Sequence, residues 1–80
     1  MSSKAQHARG YRSVPQLLRS MREQAGMTQR DIGIKLRKPQ SWVHNSETAN
    51  RRVDVSEFMA WCEACGVKPH DGLDGFLRVK

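Results

Sequence analysis

The chain has 80 residues, 38% of them hydrophobic, and a net charge of +6 at neutral pH. With a mean hydropathy of −0.72 and a pI near 10.0, that is material for one small domain with a thin core. No apolar run approaches the length of a membrane span, the start lacks the hydrophobic segment of a secretory signal, and two cysteines make no disulfide framework, so the expected compartment is the cytoplasm, away from membranes.

Charge is divided along the chain. Residues 1–52 carry eleven Lys/Arg against three acids (Glu23, Asp31 and Glu47), whereas residues 53–80 carry three against five. A basic half of this kind suits a polyanion. Residues 1–12 are small, polar and basic with no apolar period and read as a flexible arm. Ser13, Pro15 and Gln16 then offer an N-cap serine, a proline in the first turn and a glutamine at the third position, the pattern of a capping box. Leu17, Leu18, Met21 and Ala25 follow as one apolar stripe, and Gly26 ends the helix.

A second helix opens on Thr28 with Asp31 as its reciprocal partner, and buries Ile32 and Leu36. Arg37-Lys38-Pro39 breaks it, because proline is tolerated at the start of a helix and disruptive inside one. The third, residues 39–47, is short and polar, with Val43 its one clear inward residue. Isolated, it would not hold together. After a polar loop at 48–53, Asp54 and Glu57 make another capping box. The helix it opens carries Val55, Phe58, Met59, Cys62 and Cys65 along one side and stops at Gly66. Leu73, Phe76 and Leu77 permit a last short helix, against the propensities of Gly72 and Gly75. The expectation is an all-α fold of four to five helices: arm 1–12, domain 13–69, tail 70–80.

Two short helices joined by a tight break, the second polar outside, are the layout of a helix-turn-helix. Here the sequence resembles the Cro/CI-type (XRE) family of phage and bacterial repressors, through Leu18-Arg19, Arg22, Ala25-Gly26, Met27-Thr28-Gln29, Asp31-Ile32, Leu36, Gln40-Ser41, Val43, Glu47 and Arg51-Arg52. It continues through Val53-Asp54-Val55, Glu57-Phe58, Cys62 and Gly66-Val67. The resemblance covers roughly residues 14–69 and implies a compact lambda-repressor-like domain.

It also implies roles. Gln40 and Ser41 would enter the major groove, with His44 and Asn45 one turn later as further candidates for base contact. Thr28 and Gln29, at the start of the second helix, would meet a phosphate, as would Lys38, Arg51 and Arg52 around the third. Arg22 and Glu47 would form a structural ion pair. The plainer alternatives are a solvated helix start for Gln40 and Ser41 and an ordinary charged loop for Arg51-Arg52. Trp42 could pack against the second helix or touch DNA, and packing is preferred. Many relatives carry alanine at Gly33, glycine at Arg37 and Ala49, and an apolar residue at Ser46.

Cys62-x-x-Cys65 closes a helix instead of opening one, so core filling is preferred to redox or zinc chemistry. No phosphate cradle, catalytic triad or carboxylate pair stands out, and no enzyme activity, metal or cofactor is expected. The function implied is sequence-specific binding of double-stranded DNA by a homodimeric transcriptional repressor, with residues 66–80 (Leu73, Phe76, Leu77, Val79) as the partner surface. The alternative is an antitoxin that binds a protein toxin and represses its own promoter.

Overall fold

The computed structural model describes the backbone of residues 9–78 and the side chains of residues 13–77. Within them lie five helices: α1 (Arg9–Gln24), α2 (Gln29–Leu36), α3 (Gln40–Glu47), α4 (Val55–Ala64) and α5 (Pro69–Arg78). The boundaries of α2 and α4 follow from local chemistry. The Thr28 hydroxyl accepts the Asp31 amide at 3.0 Å while the Thr28 amide donates to the Asp31 carboxylate at 2.9 Å. Asp54 and Glu57 repeat the arrangement at 2.8 and 3.0 Å. These bonds favour the ionised acids and hold both Asp31 and Asp54 below the usual carboxylate range. Gly26 and Gly66 end α1 and α4 with φ of 75° and 74°, a conformation that costs a glycine nothing.

The start of α1 differs from the expectation. It begins at Arg9, so Ser13 is no cap, and Pro15 stands inside the helix. Both residues are buried, and packing of this turn outweighs the amide hydrogen bond that proline cannot supply. Residues 1–8, the rest of the expected arm, lie outside the described residues.

Leu18, Met21, Ile32, Val43, Trp61 and Cys62 form the core. Trp61 is its largest member, and its indole N–H donates to the Leu18 carbonyl at 3.0 Å. This corrects the expected inner face of α4. Val55 is 76% exposed and Met59 44%, on the side of the helix that also carries the exposed Ser56 and Glu63. The glycines of α5 correct a second expectation. A Cβ on Gly72 would stand 2.6 Å from Cys62 Sγ and 3.3 Å from Phe58, and one on Gly75 3.3 Å from Leu17. Their absent side chains are what let α5 lie against α1 and α4.

Candidate nucleic-acid interface

The site is built on α3, and α3 is held by side chains from elsewhere. Val43 and Ser46 face inward. The Ser46 hydroxyl donates to the Trp42 carbonyl at 2.8 Å and accepts from Arg51 at 3.3 Å. Glu47, at the C-terminal end of the helix, receives Arg22 Nε at 2.6 Å and Nη2 at 3.0 Å. The remaining guanidinium nitrogen donates to the Met27 carbonyl at 2.8 Å. The Glu47 side chain is 2% exposed and that of Arg22 10%. Glu47 holds the guanidinium more firmly protonated, against the opposite pull of burial. This two-point clamp fixes α3 to α1.

Glu47 also reaches α2. Gln29 Nε2 donates to it at 3.1 Å, and Gln29 Oε1 accepts from Gln40 Nε2 at 3.3 Å. A continuous chain of hydrogen bonds thus runs from Arg22 through Glu47 and Gln29 to the exposed first residue of α3. Pro39 caps that helix without a side-chain bond. Gln40, Ser41 and His44 are exposed and Asn45 is half-buried. They share one face, nearly opposite Val43 and Ser46.

The residues expected at phosphates divide into two groups. Lys38 and Arg52 are exposed, together with Arg30, Lys35 and Arg37 nearby in sequence. Lys38 Nζ lies 5.3 Å from the Trp42 ring. Thr28 is exposed, but its amide is taken by Asp31, which leaves the hydroxyl hydrogen for an anion. Arg51 is different. Half-buried, it lies over the Trp42 ring at 4.4 Å and donates to Ser46 and Glu57. It ties the loop after α3 to α4. Trp42 packs, as preferred, although its aromatic partner is Trp61 of α4 at 6.1 Å and not a residue of α2.

The tight turn has its own geometry. Arg37 adopts the left-handed conformation (φ 59°, ψ 43°) and Ala49 has φ 65°, the two positions where the family resemblance led one to expect glycine. Gly33 packs under the turn, where a Cβ would stand 2.8 Å from the Lys38 carbonyl oxygen.

A family profile described as a helix-turn-helix domain matches residues 16–74. A solved structure described as an XRE-family like protein from Pseudomonas syringae pv. tomato str. DC3000 is 37% identical, with a TM-score of 0.80, over 89% of this chain and 87% of that one. The chain belongs to the XRE (Cro/CI-type) helix-turn-helix family. No curated protein matches it. As an XRE helix-turn-helix it is a DNA-binding domain of the kind that regulates transcription, and α2 and α3 are its two motif helices. The described residues hold no catalytic constellation, and no group of three or more His, Cys, Asp or Glu is gathered as metal ligands. Burial pushes the Cys62 thiol up and the Cys65 thiol up to about 11. Both are protonated at neutral pH and unsuited to nucleophilic chemistry. None of the described helices is long and apolar enough to cross a membrane.

Proposed function

We infer that this XRE domain is a sequence-specific repressor that lays α3 in the major groove. Gln40, Ser41, His44 and Asn45 read base edges, while Thr28, Gln29, Lys38 and Arg52 meet phosphates. Arg51, already engaged on Trp42 and Glu57, would reach a phosphate only from the rim of the site. The observation that carries the reading is the exposed polar face of α3, anchored from behind by Arg22 and Glu47. Selection of bound duplexes from random DNA tests it. A defined sequence should emerge, bound at least about a thousandfold tighter than unrelated DNA.

One such helix buries too little surface to single out an operator, so the repressor acts as a homodimer on half-sites about 34–36 Å apart. Leu73 and Leu77 on α5 are 50% and 57% exposed, which supports the tail as partner surface; Val79 lies outside the described residues. An open groove of about 420 Å³ between α1, α4 and α5, lined by Val14, Val53, Phe58, Met59, Leu73 and Phe76, adds apolar area there. The same groove favours the second reading, an antitoxin whose toxin occupies it. Sedimentation of the purified chain separates the two, since self-association at micromolar concentration belongs to the first.

A further inference from the structure

Sulfur gathers where α1, α4 and α5 pack together. The Cys62 thiol, fully buried, donates to Met21 Sδ at 3.9 Å, and Met21 is itself 6% exposed. Cys65 follows one turn later on α4, half-buried, and near enough for the Cys62 thiol to oppose its ionisation. On the α5 side, a Cβ at Gly72 would stand 2.6 Å from Cys62 Sγ, 3.3 Å from Phe58 and 3.5 Å from Met21 Sδ. Backbone and an aromatic ring therefore close that side, and the nearby indole N–H of Trp61 is taken by the Leu18 carbonyl. Cys65 alone gives access from the surface.

Two sulfurs bound at about 2.3 Å to one ion in a trigonal arrangement stand about 4.0 Å apart. Cys62 and Met21 already have that spacing, with a thiol proton directed from one to the other. The donor set selects the ion. Zinc wants four ligands, and among the described residues no third His, Cys, Asp or Glu joins the two cysteines. The third donor is a thioether, which soft ions accept and hard ones do not. We propose that Met21, Cys62 and Cys65 form a binding site for a soft monovalent metal ion, copper(I), held by two thiolates and one thioether. The site stands apart from DNA recognition and does not depend on it. On binding, both S–H protons leave to solvent, each thiolate gives a lone pair to the ion, and no atom changes oxidation state. A coordinated thiol loses its proton at neutral pH even where burial opposes the loss. Arg22 and Lys35 favour the Cys65 thiolate, against Glu47.

The test titrates the full chain, reduced and kept free of oxygen, with copper(I) in competition with bicinchoninate, a coloured copper(I) chelator. The chain should take up about one equivalent, and X-ray absorption of the product should show sulfur neighbours alone, three of them at about 2.3 Å. Zinc chloride, offered in the same way, should be lost on desalting. Met21→Leu keeps the volume of the core and should weaken copper(I) at least about tenfold, as should Cys65→Ser. Nitrogen or oxygen neighbours, zinc held as firmly as copper(I), or an ion shared between two chains would overturn the site. Undiminished affinity in Met21→Leu would do the same, because two thiols would then suffice. The absorption spectrum of the parent chain decides the ligand set even where a variant fails to fold.

Discussion

Replacing Glu47 by alanine should be among the most damaging single changes in this domain. It removes three hydrogen bonds at 2.6, 3.0 and 3.1 Å. The Arg22 guanidinium, 10% exposed, keeps the Met27 carbonyl at 2.8 Å and, at 4.0 Å and beyond hydrogen-bond reach, the exposed Glu23 carboxylate. Breaking one side of a buried pair costs about 3–5 kcal/mol, because the surviving charge stays away from water without a partner. A chain of this length has a total stability of about 4–12 kcal/mol, so Glu47→Ala removes a large part of it. The melting temperature, followed by circular dichroism, should fall by at least about 12 °C. Arg22→Met combined with Glu47→Leu should recover most of that loss, since apolar groups of similar volume need no partner. A drop below about 4 °C for Glu47→Ala, or a double variant as unstable as the two single losses combined, would mean that the Arg22–Glu47 pair does not anchor α3.

Gly72→Ala gains about 1 kcal/mol of helix propensity, yet its Cβ would sit 2.6 Å from Cys62 Sγ; overpacking of about 1–3 kcal/mol should leave it less stable by urea denaturation. Adding Cys62→Ala should relieve the clash, and strict additivity of the two changes would contradict the close approach. Arg37→Gly should raise the melting temperature, because an L-residue in the left-handed region costs about 1–2 kcal/mol against the smaller entropic penalty of glycine; a fall would mean that the arginine side chain outweighs its backbone. Asp31 and Asp54 have folded pKa values lowered by their cap bonds, so their contribution is complete above about pH 4 and is lost as pH falls through the lowered values. Thermal melts between about pH 4 and 2 should therefore show a flatter decline for Asp31→Asn with Asp54→Asn than for the parent chain, and an unchanged slope would remove these caps from the acid response.

What the sequence made legible was local. Both reciprocal caps lie within four residues, and the glycine helix ends depend on one backbone angle each, so chain order alone reveals them. Pro15 was misleading for the same reason: its local meaning is a helix start, and only the burial of its turn reverses that. Val55 and Met59, expected with Phe58 and Cys62, lie outside beside Ser56 and Glu63, because Trp61, which the apolar spacing did not single out, fills the core instead. Gly72 reads as a weakness until α1 and α4 close around it. At the site, Gln40, Ser41, His44 and Asn45, like Arg22 with Glu47, are legible through family resemblance, and helical spacing adds only that the four share a face. The bonds of Gln29 to Glu47, eighteen residues away, and of Arg51 to Trp42 exist only in the folded chain. No periodicity encodes them.

In the proposed function, the leading face of α3 reads DNA sequence. The most direct measurement compares the parent chain with Gln40→Ala and Lys38→Ala in quantitative binding to a selected operator and its single-base variants across a range of salt. Gln40→Ala should erase the preference at one position and leave the salt dependence intact, whereas Lys38→Ala should weaken every duplex and lower the salt slope by about one. Identical effects of the two substitutions, or affinity indifferent to sequence in the parent chain, would contradict it.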